Sequence, residues 1–104
     1  MPEPQIAVPR DRLRAFCDRW QVAELALFGS VLRDDFRPDS DIDVLVTFAP
    51  DARPTLFDLA EMQAELAGIF GREVDLVTRR GIERSRNPRR RQAILTSARV
   101  IDVA

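Results

Sequence analysis

Two aspartates two residues apart, and a third further along the chain, are the residues best suited to chemistry. Asp41 and Asp43 begin a run rich in β-branched residues, and Asp75 lies within a second short apolar run. Because side chains at i and i+2 share one face of a strand, the first two carboxylates should point the same way. Like charges this close repel unless a cation lies between them, and carboxylate oxygens suit hard ions such as Mg²⁺.

Asp75 stands between Val74 and Leu76 and is expected to occupy an apolar strand. Burying its charge would cost several kcal/mol unless the carboxylate were paired or bound to metal. The alternative for Asp75 alone is a position at the edge of the sheet. If its strand lies beside the strand of Asp43, all three carboxylates meet on one sheet face. Three carboxylates suggest a two-metal site, which clamps the attacking and leaving oxygens of an in-line phosphoryl displacement.

Gly29 and Ser30 follow an apolar run, Val22 to Phe28, and are expected to close a strand. Glycine lets the backbone turn sharply and approach a ligand closely. If the next residues form a helical turn, its free N–H groups and the serine hydroxyl would cradle a phosphate. Phosphate binding here and metal binding at Asp41 and Asp43 are the two needs of a nucleoside triphosphate with Mg²⁺.

Composition narrows the candidates for proton transfer. All 16 basic residues are arginine, and histidine and tyrosine are absent, so a general base must be a carboxylate, Cys17 or water. The single cysteine excludes an internal disulfide and fits a reducing compartment. With no apolar run near membrane-span length and no signal-peptide pattern, the sequence predicts a cytoplasmic protein.

Periodicity predicts a small α/β (α+β) domain, residues 1–104, with one mixed sheet in two layers and a flexible, proline-rich stretch at 1–8. The predicted helices span Pro9 to Trp20, Thr55 to Phe70 and Asn87 to about Thr96. The predicted apolar face of the second helix is marked by Leu56, Leu59, Gln63, Leu66, Ala67 and Phe70. The predicted strands span Val22 to Phe28, Ile42 to Phe48, Glu73 to Thr78 and Arg99 to Val103. Thr55 with Asp58 resembles a capping box, and Gly71 a helix stop.

The segments GSVLRDDFRPDSDIDVLV and REVDLV carry a resemblance to a known family. They resemble the nucleotidyltransferase superfamily that includes DNA polymerase beta. The similarity is strongest to the minimal nucleotidyltransferases, the antitoxin halves of HEPN/MNT pairs, and covers residues from about 10 to 103. Asn87-Pro88 and the arginines after it resemble that family's C-terminal helix. One departure is Asp34, where such proteins often have glycine after the arginine.

The resemblance implies roles for the matching positions. Gly29 and Ser30 would hold the triphosphate of ATP. Asp41 and Asp43 would bind magnesium, with two ions expected, and Asp75 would complete the metal site and act as, or position, the general base. Two further residues have open alternatives: Arg33 contacts a phosphate or faces solvent in a loop, and Ser40 contacts phosphate or shapes the turn before the strand.

The acceptor must be supplied from elsewhere, because 104 residues leave no room for an acceptor domain. The resemblance implies an antitoxin of a type VII-like pair that transfers AMP from ATP to a tyrosine of a partner HEPN ribonuclease toxin, forming a hetero-oligomer. Since the chain has no tyrosine, it cannot be its own target. Two alternatives remain: an antitoxin that neutralises by binding alone, and a nucleotidyltransferase with a small-molecule acceptor such as an aminoglycoside.

Seven arginines crowd residues 79–91, although the net charge of the chain is -1. They form either a solvated loop and helix face or a docking surface for an acidic partner or a phosphate. Nucleic acid is the weaker candidate, because the chain is not basic overall and aromatic residues do not interleave with the arginines.

Overall fold

The computed structural model describes residues 8–29 and 41–101, which form four helices and four strands. Most bounds agree with the sequence prediction to within one residue. In chain order the elements are α1 (Arg10–Trp20), β1 (Val22–Phe28), β2 (Ile42–Phe48), α2 (Leu56–Phe70), β3 (Val74–Thr78), α3 (Arg79–Glu83), α4 (Pro88–Ser97) and β4 (Arg99–Ile101).

The strands form one mixed sheet in the order β3-β2-β1-β4. β1 pairs antiparallel with both β2 and β4, whereas β2 and β3 are parallel. Parallel neighbours need a crossover connection, and α2 supplies it. The predicted mixed sheet is therefore confirmed, with β3 and β4 at its edges.

Helices cover both faces of the sheet, so the predicted two layers become three. On one face, α1 and α2 pack over alternate strand residues in a cluster that includes Leu13, Phe16, Leu27, Val44 and Leu66. These side chains are nearly or completely buried, and each such side chain contributes roughly 1.5–3 kcal/mol of hydrophobic stabilisation.

The opposite face carries a smaller cluster, and this cluster positions the candidate site. Ile82 of α3 and Ile94 of α4 pack over Ala26, Phe28 and Leu45. α3 was not predicted from the sequence, because its five residues are too few to show a helical period. Thr78 starts this helix by accepting a hydrogen bond from the Gly81 N–H at 3.0 Å. The chain therefore turns directly from β3 back over the sheet.

Capping residues bound the longest helix, α2, as predicted. Thr55 Oγ1 accepts the Asp58 N–H at 3.1 Å, and Asp58 Oδ2 accepts the Thr55 N–H at 2.9 Å, which completes the capping box. Gly71 ends the helix with φ +69°. The predicted buried face was wrong at Leu56, which is 83% exposed, whereas Met62 is fully buried. The first turn lies beside a surface cavity instead of over the core.

Among the described residues, no helix is long and apolar enough to cross a membrane.

Candidate functional site

Three strand ends meet at one end of the sheet, and they bring two of the three aspartates together. Asp43 is the direct partner of Asp75 in the parallel β2–β3 ladder and of Phe28 in the antiparallel β1–β2 ladder. Partners in register share a sheet face about 4.8 Å apart. The sequence predicted that Asp43 and Asp75 share a sheet face if their strands are neighbours, and β2 and β3 are neighbours in the sheet.

Gly29 lies directly against the Asp43 carboxylate. Its φ is +78°, a left-handed conformation that favours glycine. A β-carbon at this position would overlap Asp43 Oδ2 and lie 3.2 Å from Asp43 Cγ. Any larger residue would displace the carboxylate. The chain therefore needs glycine here for two separate reasons, the backbone conformation and the space.

Asp75 is exposed, which favours the edge position over a buried strand. The reason is topological, because β3 is an edge strand and only Val74 among its residues is buried. Gln63 of α2 accepts a hydrogen bond from the Leu76 N–H at 3.2 Å, next to Asp75. This bond ties the free edge of β3 to the long helix and so positions the neighbouring carboxylate.

Asp41 precedes β2 and is exposed, whereas Asp43 is half-buried. No group of three His, Cys, Asp or Glu side chains within 8–29 and 41–101 is arranged to hold a metal ion. The donor chemistry nevertheless fits a hard divalent cation, since all three candidate ligands are carboxylates.

Three of the predicted nucleotide-binding residues, Ser30, Arg33 and Ser40, lie outside the described residues. They remain predictions from the sequence. Gly29, the fourth, lies at the carboxyl end of β1 beside the aspartates, where the prediction put it.

Cys17 lies away from the aspartates and is unsuited to proton transfer. It sits on α1, in the cluster on the opposite sheet face, and is only 7% exposed. Burial, with a smaller contribution from the Asp18 carboxylate, raises the pKa of its thiol from 9.0 to about 11. If a side chain of these residues acts as the general base, it is therefore a carboxylate and not the Cys17 thiol.

The arginine-rich segment spans α3, the loop after it and the start of α4, on the same sheet face as Asp43 and Asp75. Arg91 is half-buried and donates to the Ser85 carbonyl at 3.1 Å, and Arg79 pairs with Glu83 at 3.4 Å. These two arginines have structural partners. The other five are exposed: Arg80, Arg84, Arg86, Arg89 and Arg90.

A cavity of about 590 Å³ lies towards the other end of β2 from the aspartates. It was not predicted from the sequence, because its walls come from α2, α3 and the loop between β2 and α2. The adjacent apolar residues Leu56 and Phe57 at the start of α2 were the available signal. Both are more than 80% exposed.

Comparisons with known proteins agree with this geometry. The family model of the nucleotidyltransferase domain matches residues 10–101. A Methanocaldococcus jannaschii protein named as a protein adenylyltransferase is 37% identical over 65 residues, covering 62% of this chain and 65% of that protein. The Thermococcus cleftensis protein adenylyltransferase MntA is 35% identical over 66 residues, covering 64% and 65%. The chain thus matches just under two thirds of these relatives' length.

Solved structures share the fold. A minimal nucleotidyltransferase superposes with a TM-score of 0.65 at 37% identity, over 86% of each chain. A toxin–antitoxin crystallised with AMP-PNP superposes with a TM-score of 0.68, over 89% of this chain and 72% of that one. At 22% identity, the second likeness concerns the fold alone. With the family model spanning nearly the whole chain, the protein belongs to the nucleotidyltransferase domain family.

Proposed function

We propose that this chain is a magnesium-dependent protein adenylyltransferase, the antitoxin of a type VII-like toxin–antitoxin pair. It transfers AMP from ATP to a tyrosine hydroxyl of a partner HEPN ribonuclease toxin. One observation carries the catalytic part: Asp43 stands in register with Asp75 on a neighbouring parallel strand, with Gly29 packed against it. A catalytic pair of carboxylates at a glycine turn is suited to a metal-bound triphosphate.

Asp41, Asp43 and Asp75 are the residues that would hold magnesium, with two ions expected. Magnesium supplies charge neutralisation at the triphosphate and at the oxygens that attack and leave. Gly29 and Ser30 hold the triphosphate, and Arg33 and Ser40 add phosphate contacts. Asp43 is half-buried, lies against Gly29 and stands on a strand that pairs on both sides. Its carboxylate is therefore more restricted than the exposed carboxylates of Asp41 and Asp75.

The transfer forms one bond and breaks one. The acceptor hydroxyl oxygen bonds to the α-phosphorus of ATP, and the bond from that phosphorus to the bridging oxygen breaks, so pyrophosphate leaves. The hydroxyl proton must pass to a base. Because these 104 residues include no histidine, lysine or tyrosine, and Cys17 is buried with a raised pKa, the candidates for this role are a carboxylate and water. We assign it to Asp75, which is exposed beside Asp43.

The protein acceptor is supported by similarity to known proteins and by composition. Two of the curated relatives are named as protein adenylyltransferases. Solved structures of the same fold include an MntA–HepT toxin–antitoxin, aligned over 88% of this chain with a TM-score of 0.54. None of the 104 residues is a tyrosine, so the proposed acceptor tyrosine lies outside them.

The experiment is a transfer assay with the toxin encoded beside this chain's gene. ATP labelled at the α-phosphate should label the toxin in the presence of Mg²⁺, whereas ATP labelled at the γ-phosphate should not. This difference separates adenylylation from phosphorylation. Phenylalanine substitutions of the toxin's tyrosines should remove the label one site at a time. No α-label on the toxin with any divalent cation would overturn the proposal.

A second candidate is an antitoxin that neutralises its toxin by binding alone. It is favoured by the finding that the described carboxylates do not form a group of three that could hold a metal ion. The double variant Asp41→Asn, Asp43→Asn separates the two functions in a growth-rescue assay with the toxin. Full neutralisation by the double variant supports binding alone, whereas loss of neutralisation with retained complex formation supports catalysis.

A further inference from the structure

The cavity at the carboxyl end of β2 is an open groove that the proposed transfer does not use. The loop from β2 to α2 forms one wall, α3 forms the other, and the last residues of β2 form the floor. The residues that matter for its chemistry are Val46, Pro50, Arg53, Leu59, Arg80 and Glu83. Its volume of about 590 Å³ is within the range of binding pockets, roughly 300–1,000 Å³.

Two large apolar side chains stand exposed in the first turn of α2, the helix whose Leu59 lines this groove. Leu56 is 83% exposed and Phe57 is 85% exposed, at adjacent positions in the first turn of α2. Leu56 lies one helical turn before Leu59, which lines the groove, so the apolar wall continues onto the surface. Exposed apolar side chains that extend a cavity are typical of surfaces that bind another molecule.

The charge of the groove is positive. Arg53 donates to the carbonyls of Pro50 and Ala52 at 3.2 and 3.0 Å, which holds its exposed side chain in place. Arg80 is exposed, and no carboxylate of residues 8–29 or 41–101 forms an ion pair with it. Within the described part of the chain, Glu83 is the only carboxylate that lines the groove, and it pairs with Arg79, so an occupant would need to supply acidic groups.

The groove is separated from the aspartates along the strands. Its nearest strand residues, Val46 and Thr78, are three residues from Asp43 and Asp75, which corresponds to about 10 Å of extended strand. A small acceptor bound at the far end of the groove, near Phe48, would lie about 17 Å from Asp43 along β2. A protein can bind at one point and present a hydroxyl at another.

We propose that this groove docks an acidic segment, carrying at least one large apolar side chain, of the protein that accepts the nucleotide. The inference rests on the proposed function in that it takes the acceptor to be a protein. Phe57 and Leu56 contact the apolar side chain, and Arg53 and Arg80 pair with the acidic ones. The groove therefore sets acceptor affinity, and the aspartates set the rate of transfer.

Binding is tested without catalysis, in the Asp43→Asn background. The probe is a fluorescent peptide that alternates glutamate with leucine and phenylalanine, and its matched control replaces every glutamate by glutamine. Fluorescence anisotropy should show tighter binding of the acidic peptide. Phe57→Ser and Arg80→Glu should each weaken it by about 10- to 30-fold, the range of an interface hot spot.

Matched control variants carry the same substitutions elsewhere. Val100→Ser alters an exposed apolar residue on β4, at the opposite edge of the sheet, and Arg14→Glu alters an exposed arginine on α1. Both should bind the acidic peptide like the parent. Equal affinity for the acidic and glutamine peptides overturns the proposal, as does tighter binding of an oligouridylate, or self-association that Phe57→Ser abolishes.

Steady-state transfer gives an independent readout. With the neighbouring toxin as acceptor, Phe57→Ser should raise KM for the toxin about tenfold and leave kcat and KM for ATP unchanged. An unchanged KM for the toxin overturns the docking role. If the unsubstituted chain transfers no AMP, the proposed function fails, while the peptide experiment still decides whether the groove binds an acidic segment.

Discussion

The two ends of the β2–β3 pair differ in charge, shape and burial. At the amino ends of these strands, Asp43 and Asp75 bring negative charge together against a glycine that leaves no spare room. At the carboxyl ends, Arg53 and Arg80 border an open groove with apolar walls. One end is suited to holding a cation and a triphosphate, and the other to holding part of a protein.

This difference teaches how a small chain can separate recognition from chemistry. Strands in a sheet are stiff, so about 17 Å of β2 keeps the two ends at a constant distance. Catalysis at the aspartates depends on the exact positions of a few atoms, whereas binding at the groove depends on the contact area and the charge of the surface. Substitutions at the two ends should therefore fail in different ways, one in kcat and the other in KM.

The largest expected effect is at Asp43. Asp43→Asn should lower the rate of AMP transfer on the order of 1,000-fold, because an amide cannot neutralise a cation and this carboxylate is the most constrained of the three. Transfer to the toxin is measured with ATP labelled at the α-phosphate. Asp11→Asn, the same change on the exposed face of α1, should retain full activity. Comparable losses in both variants would contradict a specific role for Asp43.

Gly29 and Gly71 have similar backbone conformations, so substituting each one separates the effect of backbone strain from the effect of limited space around a β-carbon. Gly29→Ala should lower transfer about 100-fold, because its β-carbon would displace the Asp43 carboxylate and small misplacements are costly. Gly71→Ala is the matched control, since its φ is +69° but a β-carbon there meets nothing within 4 Å. It should lose roughly 1–2 kcal/mol of unfolding free energy and keep its transfer rate. Equal transfer rates in both variants would refute the close approach.

A smaller effect is expected where α2 holds the edge strand. Gln63→Met removes the acceptor for the Leu76 N–H and should cost about 1 kcal/mol of unfolding free energy. Because Asp75 is next to Leu76, transfer should fall about threefold, which corresponds to slightly less than 1 kcal/mol in activation free energy. Urea denaturation and kcat measure the two effects. Gln92→Met, an exposed glutamine on α4, should change neither.

No effect on the rate of AMP transfer is expected from a substitution at Cys17. Cys17→Ala should leave transfer at neutral pH unchanged, because the thiol lies on the opposite sheet face from the aspartates. The effect of the substitution is expected instead in the pH dependence of the unfolding free energy. The pKa of Cys17 is higher in the folded protein than in the unfolded chain. The resulting contribution to the unfolding free energy is therefore fully present below pH 9 and is lost as the pH rises towards 11. The loss should be at most about 3 kcal/mol.

Composition makes this pH dependence easy to isolate. Without lysine, tyrosine or histidine, Cys17 is the only side chain that titrates between pH 9 and 11. Chemical denaturation at several pH values should show falling unfolding free energy in the parent and a flat profile in Cys17→Ala. A slope that persists in the variant would contradict the assignment of the raised pKa to this thiol.

Local patterns in the sequence were sufficient for most of the fold. Alternating apolar residues identified β1 and β2, and Thr55 with Asp58 marked the start of α2, because these signals depend on neighbours in the chain. α3 was missed, since five residues hold barely more than one helical turn. The buried face of α2 was misjudged at Leu56, because helical spacing does not tell where a helix extends past the core.

The candidate site divides in the same way. The residue types and spacing of Asp41, Asp43 and Gly29 predicted a metal and phosphate site, because these residues are close along the chain. The pairing of Asp43 with Asp75, the exposure of Asp75 and the contact of Gly29 with Asp43 required the strand order. An apolar strand can lie in the centre of a sheet or at its edge, and its own residues do not distinguish the two.

The sequence by itself determined the available chemistry: carboxylates as the acids and bases, arginine as the only basic side chain, and no tyrosine to modify. Tertiary structure alone decided the geometry. It put Cys17 on the wrong face for catalysis, left Asp75 accessible beside Asp43, and formed a basic groove at the opposite end of β2. The physical reason is that distances between residues far apart in the chain follow from strand pairing and helix packing, which local spacing does not specify.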